Sequence, residues 1–143
     1  MRFMVLVKSD ERTESGDLGE EREYAEMGRF NEELVEAGVM LAGEGLHPSA
    51  QGARVRFDGQ QRTVIAGPFS GEPKNLVAGF WLWQVDSLQE AIDWLKRAPF
   101  DDGTEVEIRQ VMETEDFGDV LTPELREQEE RLRAQTDELR KAS

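Results

Sequence analysis

The chain holds a single histidine, His47, in the stretch Gly43-Glu44-Gly45-Leu46-His47-Pro48-Ser49. A histidine-based metal site or Ser-His-Asp set would have to draw on it. Glu44 stands three residues before it, a spacing that suits a metal on a helix. Two glycines and a proline make this stretch a loop instead, so no metal site is expected. A solvent-facing loop histidine is the alternative reading. Ser49 or Ser70 could complete a Ser-His-Asp set, but no nucleophile-elbow pattern surrounds either one. Gly43-Glu44-Gly45 lacks the third glycine and the following helix of a phosphate loop. Arg54, Arg56 and Arg62 form a small basic cluster that Arg109 could join. Such a cluster can grip a carboxylate or phosphate, or simply pair with nearby acids. Trp81, Trp83 and Trp94 can line a pocket, or fill a core or a dimer interface. No cofactor motif accompanies these residues.

The elements that must position them are set in a strongly acidic chain. Its 143 residues carry 31 Asp and Glu against 17 Lys and Arg, a net charge of −14. That charge repels nucleic acid and anionic lipid, which excludes a general phosphate-binding surface. The length suits one domain with a core of its own. Hydrophobic residues at 38% are too many for wholesale disorder. With no cysteine, disulfides, zinc–thiolate sites, iron–sulfur clusters and thiol nucleophiles are all excluded. No segment approaches the apolar length of a membrane helix, and the apolar run Phe3 to Val7 is short for a signal peptide. A cytoplasmic protein is expected. The acidity is uneven: residues 10–36 have a net charge of −8 and residues 101–119 of −7, while residues 37–100 are neutral. Any site is therefore sought in the balanced middle, with the acidic stretches as a solvated coat.

Arg2 to Lys8 is apolar on both faces, as a central strand would be. Ser9 to Gly19 is polar and reads as a loop. Asp17 then caps a helix, with Glu20 in the capping-box position, and Tyr24, Met27, Phe30, Leu34 and Ala37 recur on one face. Gly38 stands where a C-terminal cap belongs. Val39 to Ala42 is a short strand ended by Gly43 and Gly45. Residues 54–57 and 62–65 alternate around Asp58-Gly59-Gln60-Gln61 and read as a hairpin. Residues 67–73 form a turn-rich loop. From Asn75 to Val85, odd positions place Trp81 and Trp83 on one face, and Ala78, Phe80 and Leu82 fill the other. Ser87 with Glu90 opens a second helix, with Leu88, Ala91, Ile92 and Leu95 turned inward. Glu105 to Met112 is a strand exposed on one side. Thr122-Pro123 starts a charged third helix, in which Leu125, Leu132 and Leu139 recur at seven-residue intervals as a weak heptad.

This order is β-α-β, hairpin, β-α-β: an α+β, ferredoxin-like (split βαβ) plan with an inserted hairpin and a C-terminal helix. Residues 1–113 form the domain and residues 114–143 a charged helical extension. Both main helices would cover one face of the sheet. The other would be apolar and open, so a homodimer is expected, its sheets face to face.

Several stretches resemble the DGPF-domain, YCII-related family. Gly38-Val39-Met40-Leu41-Ala42-Gly43-Glu44-Gly45-Leu46-His47-Pro48-Ser49 is the longest. Gly52 to Phe57, Arg62 to Ile65, Ala78-Gly79-Phe80-Trp81 and Glu107 to Val111 add to it. The family signature Asp-Gly-Pro-Phe is matched by Ala66-Gly67-Pro68-Phe69, with Glu72 and Lys74 matching its later positions after one extra loop residue. Ala66 replaces the leading aspartate, so no role of that carboxylate carries over. Glu26 aligns with a histidine that relatives hold in the first helix, so a mechanism based on that histidine does not carry over either. The resemblance implies a dimeric α+β barrel, with enzyme-like members and neighbouring sigma-factor genes.

Two functions follow as expectations. One is a dimeric protein that binds or transforms a small molecule, with Glu44, His47, Arg54, Glu72, Lys74 and Trp81 as ligand-binding candidates. The alternative is a non-catalytic partner in sigma-factor-dependent transcriptional control, docking through its acidic helix or charged tail. DNA binding is set aside on charge.

Overall fold

The computed structural model describes residues 1–142, which form two compact units, Met1–Val111 and a second from Met112 onward. In the first unit, strand β1 (Arg2–Lys8) is followed by a four-residue helix α1 (Glu11–Glu14) and the long helix α2 (Glu21–Glu36). Strand β2 (Met40–Gly45), the hairpin strands β3 (Ala53–Asp58) and β4 (Gln61–Ala66), strand β5 (Val77–Gln84), helix α3 (Leu88–Leu95) and strand β6 (Val106–Gln110) complete it. The main sheet has the order β2-β5-β1-β6 and every pairing in it is antiparallel. This is the expected ferredoxin-like order, with β1 and β5 central. The hairpin forms a separate two-stranded sheet.

Alternation along the central strands sorts their side chains between two environments. Phe3 and Val5 of β1 join Trp81 and Trp83 of β5, Phe30 and Leu34 of α2 and Ala91 of α3 in one buried cluster. Both helices therefore cover the same face. The indole N–H of Trp83, fully buried there, has no hydrogen-bond partner among the described residues. On the opposite face Met4, Leu6, Phe80 and Leu82 remain partly exposed.

Three local expectations are corrected. Residues 9–19 are not all loop: the Asp10 carboxylate accepts the Thr13 N–H at 2.7 Å and starts α1. Asp17 does not cap α2. It accepts the Gly19 N–H, and the cap is Glu20, whose N–H donates to the Glu23 carboxylate at 3.1 Å. Finally, β2 runs through Gly43 and Gly45 rather than ending at them. A Cβ at Gly43 would lie 2.8 Å from the Trp81 ring, and one at Gly79, paired with Gly45, would lie 2.9 Å from the Glu44 carbonyl oxygen. The glycines make room for an indole and for close strand approach, which explains the motif without any phosphate.

In the second unit, a short 3-10 segment (Thr114–Val120) precedes helix α4 (Pro123–Ala142). The Thr122 hydroxyl accepts the Leu125 N–H at 3.3 Å, as the sequence leads one to expect. Leu125, Leu132 and Leu139 are exposed. No helix among the described residues is long and apolar enough to cross a membrane.

Candidate functional site

The end of β2 delivers Leu46, His47 and Pro48 to the mouth of a cleft of about 570 Å³ within the first unit. That volume suits a small organic ligand. Its apolar lining includes Val7, Met27, Leu46, Pro48 and Phe100. Its polar lining combines His47 with Asp10, Arg12, Tyr24, Glu26 and Asp101.

Most of the charged side chains in this cleft are already engaged. The Arg12 guanidinium lies 2.7 Å from the Glu23 carboxylate and 3.5 Å from that of Asp17. The Arg12 hydrogen bond, followed by the Glu20 N–H, holds the Glu23 carboxyl below the usual glutamate range. Arg22 faces Glu26 at 3.4 Å, and the Tyr24 hydroxyl donates to the Leu18 carbonyl. The Asp10 carboxyl is also held low, chiefly by the Thr13 N–H it caps. His47 differs: among the described residues its ring makes no hydrogen bond or ion pair, and it is exposed. It can accept or donate a proton to a guest without first leaving a protein partner.

Of the six ligand-binding candidates, His47 lines this cleft and the other five lie elsewhere. Glu44 is exposed on β2 opposite Phe80, on the sheet face away from the helices. The Arg54 guanidinium stacks on the Phe69 ring at 4.0 Å. Glu72 and Lys74 pair with each other at 3.0 Å, both exposed, and that hydrogen bond raises the Lys74 pKa. Trp81 is a core residue, 5% exposed, with its N–H donating to Asn31 at 2.9 Å. The cleft also takes Asp10, Arg12 and Asp17 from residues 9–19, a segment that the sequence presents as a plain polar loop. The signal for it is Asp10 three residues before Thr13, an N-cap spacing inside that polar segment.

Beside the cleft lies a polar knot. Glu14 of α1 accepts the Ser49 N–H at 2.9 Å on one oxygen and the Ser49 hydroxyl at 2.6 Å on the other. The same hydroxyl oxygen accepts the Phe69 N–H at 3.0 Å. The Ser49 hydroxyl, then the Ser49 amide, hold the Glu14 carboxyl below its ordinary range. A depressed carboxyl stabilises the fold above its ordinary pKa, and this contribution is lost as pH falls through the depressed value. Glu14→Gln is therefore expected to flatten part of the acid-side fall in stability. Urea midpoints along a pH series check this; equal slopes for variant and wild type would show that the clasp is absent in solution.

A family model described as the YCII-related domain matches residues 1–115, which include the whole main sheet and every residue of the cleft. The chain belongs to the YCII-related family. An uncharacterised protein of Rhizobium meliloti (strain 1021) is 32% identical to this YCII-related chain over 98 residues, 67% of this chain and 78% of the relative. A solved structure of the 5-chloro-2-hydroxyhydroquinone dehydrochlorinase of Burkholderia phenoliruptrix AC1100, in complex with 2,5-dihydroxybenzoquinone, is similar with a TM-score of 0.41. It is 14% identical, and the match covers 81% of this chain and 99% of that one. In the YCII-related chain, two of the family-like loops meet at the knot. Pro48-Ser49 supplies the hydroxyl, and Gly67-Pro68-Phe69 supplies an N–H and a residue with no side chain. A methyl group on Gly67 would collide with the Ser49 carbonyl.

Proposed function

We propose that this YCII-related protein is a homodimeric, enzyme-like protein that binds a small molecule in the cleft headed by His47. The observation that carries the reading is the pairing of an unengaged imidazole with a cleft of ligand size, lined by apolar and charged side chains together. His47 acts on the guest as a general acid or base, and Met27, Phe100 and Pro48 supply contact area. The dimer is argued from the open sheet face, where Met4, Leu6, Phe80 and Leu82 stay partly exposed. The cytoplasm is its compartment in this reading, which a cysteine-free chain suits. The sigma-factor alternative gains no support from the family match or the relatives.

Crystals soaked with a library of small aromatic and carboxylic fragments test the site. Density for fragments between His47 and Phe100, together with thermal upshifts that Met27→Glu removes, is the expected result. Fragments that settle only elsewhere would overturn the assignment of the cleft.

A further inference from the structure

The β3–β4 hairpin is short of cover. Its register sets Val55 opposite Val64 and Phe57 opposite Arg62, with Ala53 and Ala66 at the base of the same face. Val55 is 51% exposed, Phe57 71% and Val64 68%. Two strands alone cannot bury an apolar face, and a lone hairpin is marginal in water. Arg62 lies over the Phe57 ring at 4.5 Å, and Arg54 over Phe69 near the base. With strands of six residues, the hairpin reaches about 20 Å from its base.

Charge narrows the choice of what covers it. The hairpin carries three arginines against Asp58, in a chain whose net charge is −14. Residues 10–36 alone hold eleven acids and three bases. Among the described residues, Glu21, Glu32 and Glu36 of α2 are exposed and have no ion-pair partner. The arm and its complement are thus written into one sequence.

We infer that the β3–β4 hairpin is an intersubunit arm, seated by Val55, Phe57 and Val64 on a second copy of this chain, with Arg62, which shares that face, meeting that copy's acidic residues 10–36. The inference rests on the homodimer reading and adds which segment makes the contact. The apolar triplet supplies the buried surface. Arg62 sets orientation on the seated face, and Arg54 and Arg56 on the other face add long-range attraction that raises the encounter rate, so the association weakens with salt.

Analytical ultracentrifugation of the full chain over a concentration series tests it. Phe57→Asp with Val64→Asp is expected to raise the dimer dissociation constant at least tenfold. Arg54→Glu with Arg56→Glu should act in the same direction, and its effect should shrink between 50 mM and 500 mM NaCl. Both pairs of positions are solvent-exposed, and circular dichroism checks that the main sheet and helices persist. If the hairpin itself unravels, Gln60→Cys, the chain's sole cysteine, carries a spin label at the tip without disturbing either face. Broadened label spectra and a defined label-to-label distance in the dimer support the arm; a freely tumbling label in a dimeric protein overturns it. A wild-type dimer that the aspartate pair leaves unchanged also overturns the arm while sparing the dimer. A monomeric wild type overturns both.

Discussion

Trp81→Ala is expected to lower the free energy of unfolding by about 3–5 kcal/mol, the usual range for emptying a buried aromatic site. Trp81 stands at the centre of the aromatic core. Its ring lies 5.9 Å from Phe30, 5.4 Å from Trp83 and 6.0 Å from Phe100, mostly in edge contacts that add to simple burial. Its N–H has an acceptor in Asn31. Gly43 beneath it has no side chain to fill the gap that alanine would leave. Against a total stability of roughly 5–15 kcal/mol, such a loss leaves the fold marginal. Urea denaturation followed by circular dichroism gives the number. Trp81→Phe should fall between the two, losing the hydrogen bond and part of the contact area. A loss below about 1 kcal/mol, as typical of an exposed side chain, would show that Trp81 is not core in solution.

Gly67→Ala is the second large effect, and its cause is backbone against backbone. The added methyl meets the Ser49 carbonyl oxygen and carbon, then the Ala50 Cα, none of which can swing aside as a side-chain tip can. The Gly67 N–H also donates to the Gly52 carbonyl at 3.0 Å, so the loop cannot slide away cheaply. Overpacking of this kind costs about 1–3 kcal/mol and more where the neighbour is fixed. The expected result is a loss of about 3 kcal/mol, with Phe69 displaced from Ser49 and its amide losing protection from hydrogen exchange. Gly28→Ala is the internal control, since a methyl there meets nothing within 4 Å. If both variants behave alike, the tight approach at Gly67 is not a feature of the folded protein.

The parts of the fold that repeat over several residues could be read directly from the sequence. Helix α2 showed its period through Phe30 and Leu34, and β5 showed two apolar faces through Trp81 and Trp83 against Phe80 and Leu82. Helix α1 did not, because four residues without a buried side chain cannot display a helical period. Strand β2 looks shorter in the sequence than it is, because glycine weakens strands in general. Here the missing side chain at Gly43 is what lets Trp81 occupy the core. His47 stands out as the sole imidazole, but its neighbours in the cleft do not, since they come from a polar segment, residues 9–19, without helical or strand period. The Glu14–Ser49 clasp joins residues 35 positions apart, and no local pattern discloses such a pair.

The stranded indole N–H of Trp83 has a use. It is shut away from water and bound to no acceptor among the described residues. Its proton can therefore be traded for deuterium only when the layer between sheet and helices parts. One indole resonance thus serves as a clock for the opening of the core, built into the chain and needing no label. Burying a donor without a partner costs about 1–3 kcal/mol, which the surrounding aromatic contacts must offset. The core in this protein is held by shape more than by polar complementarity.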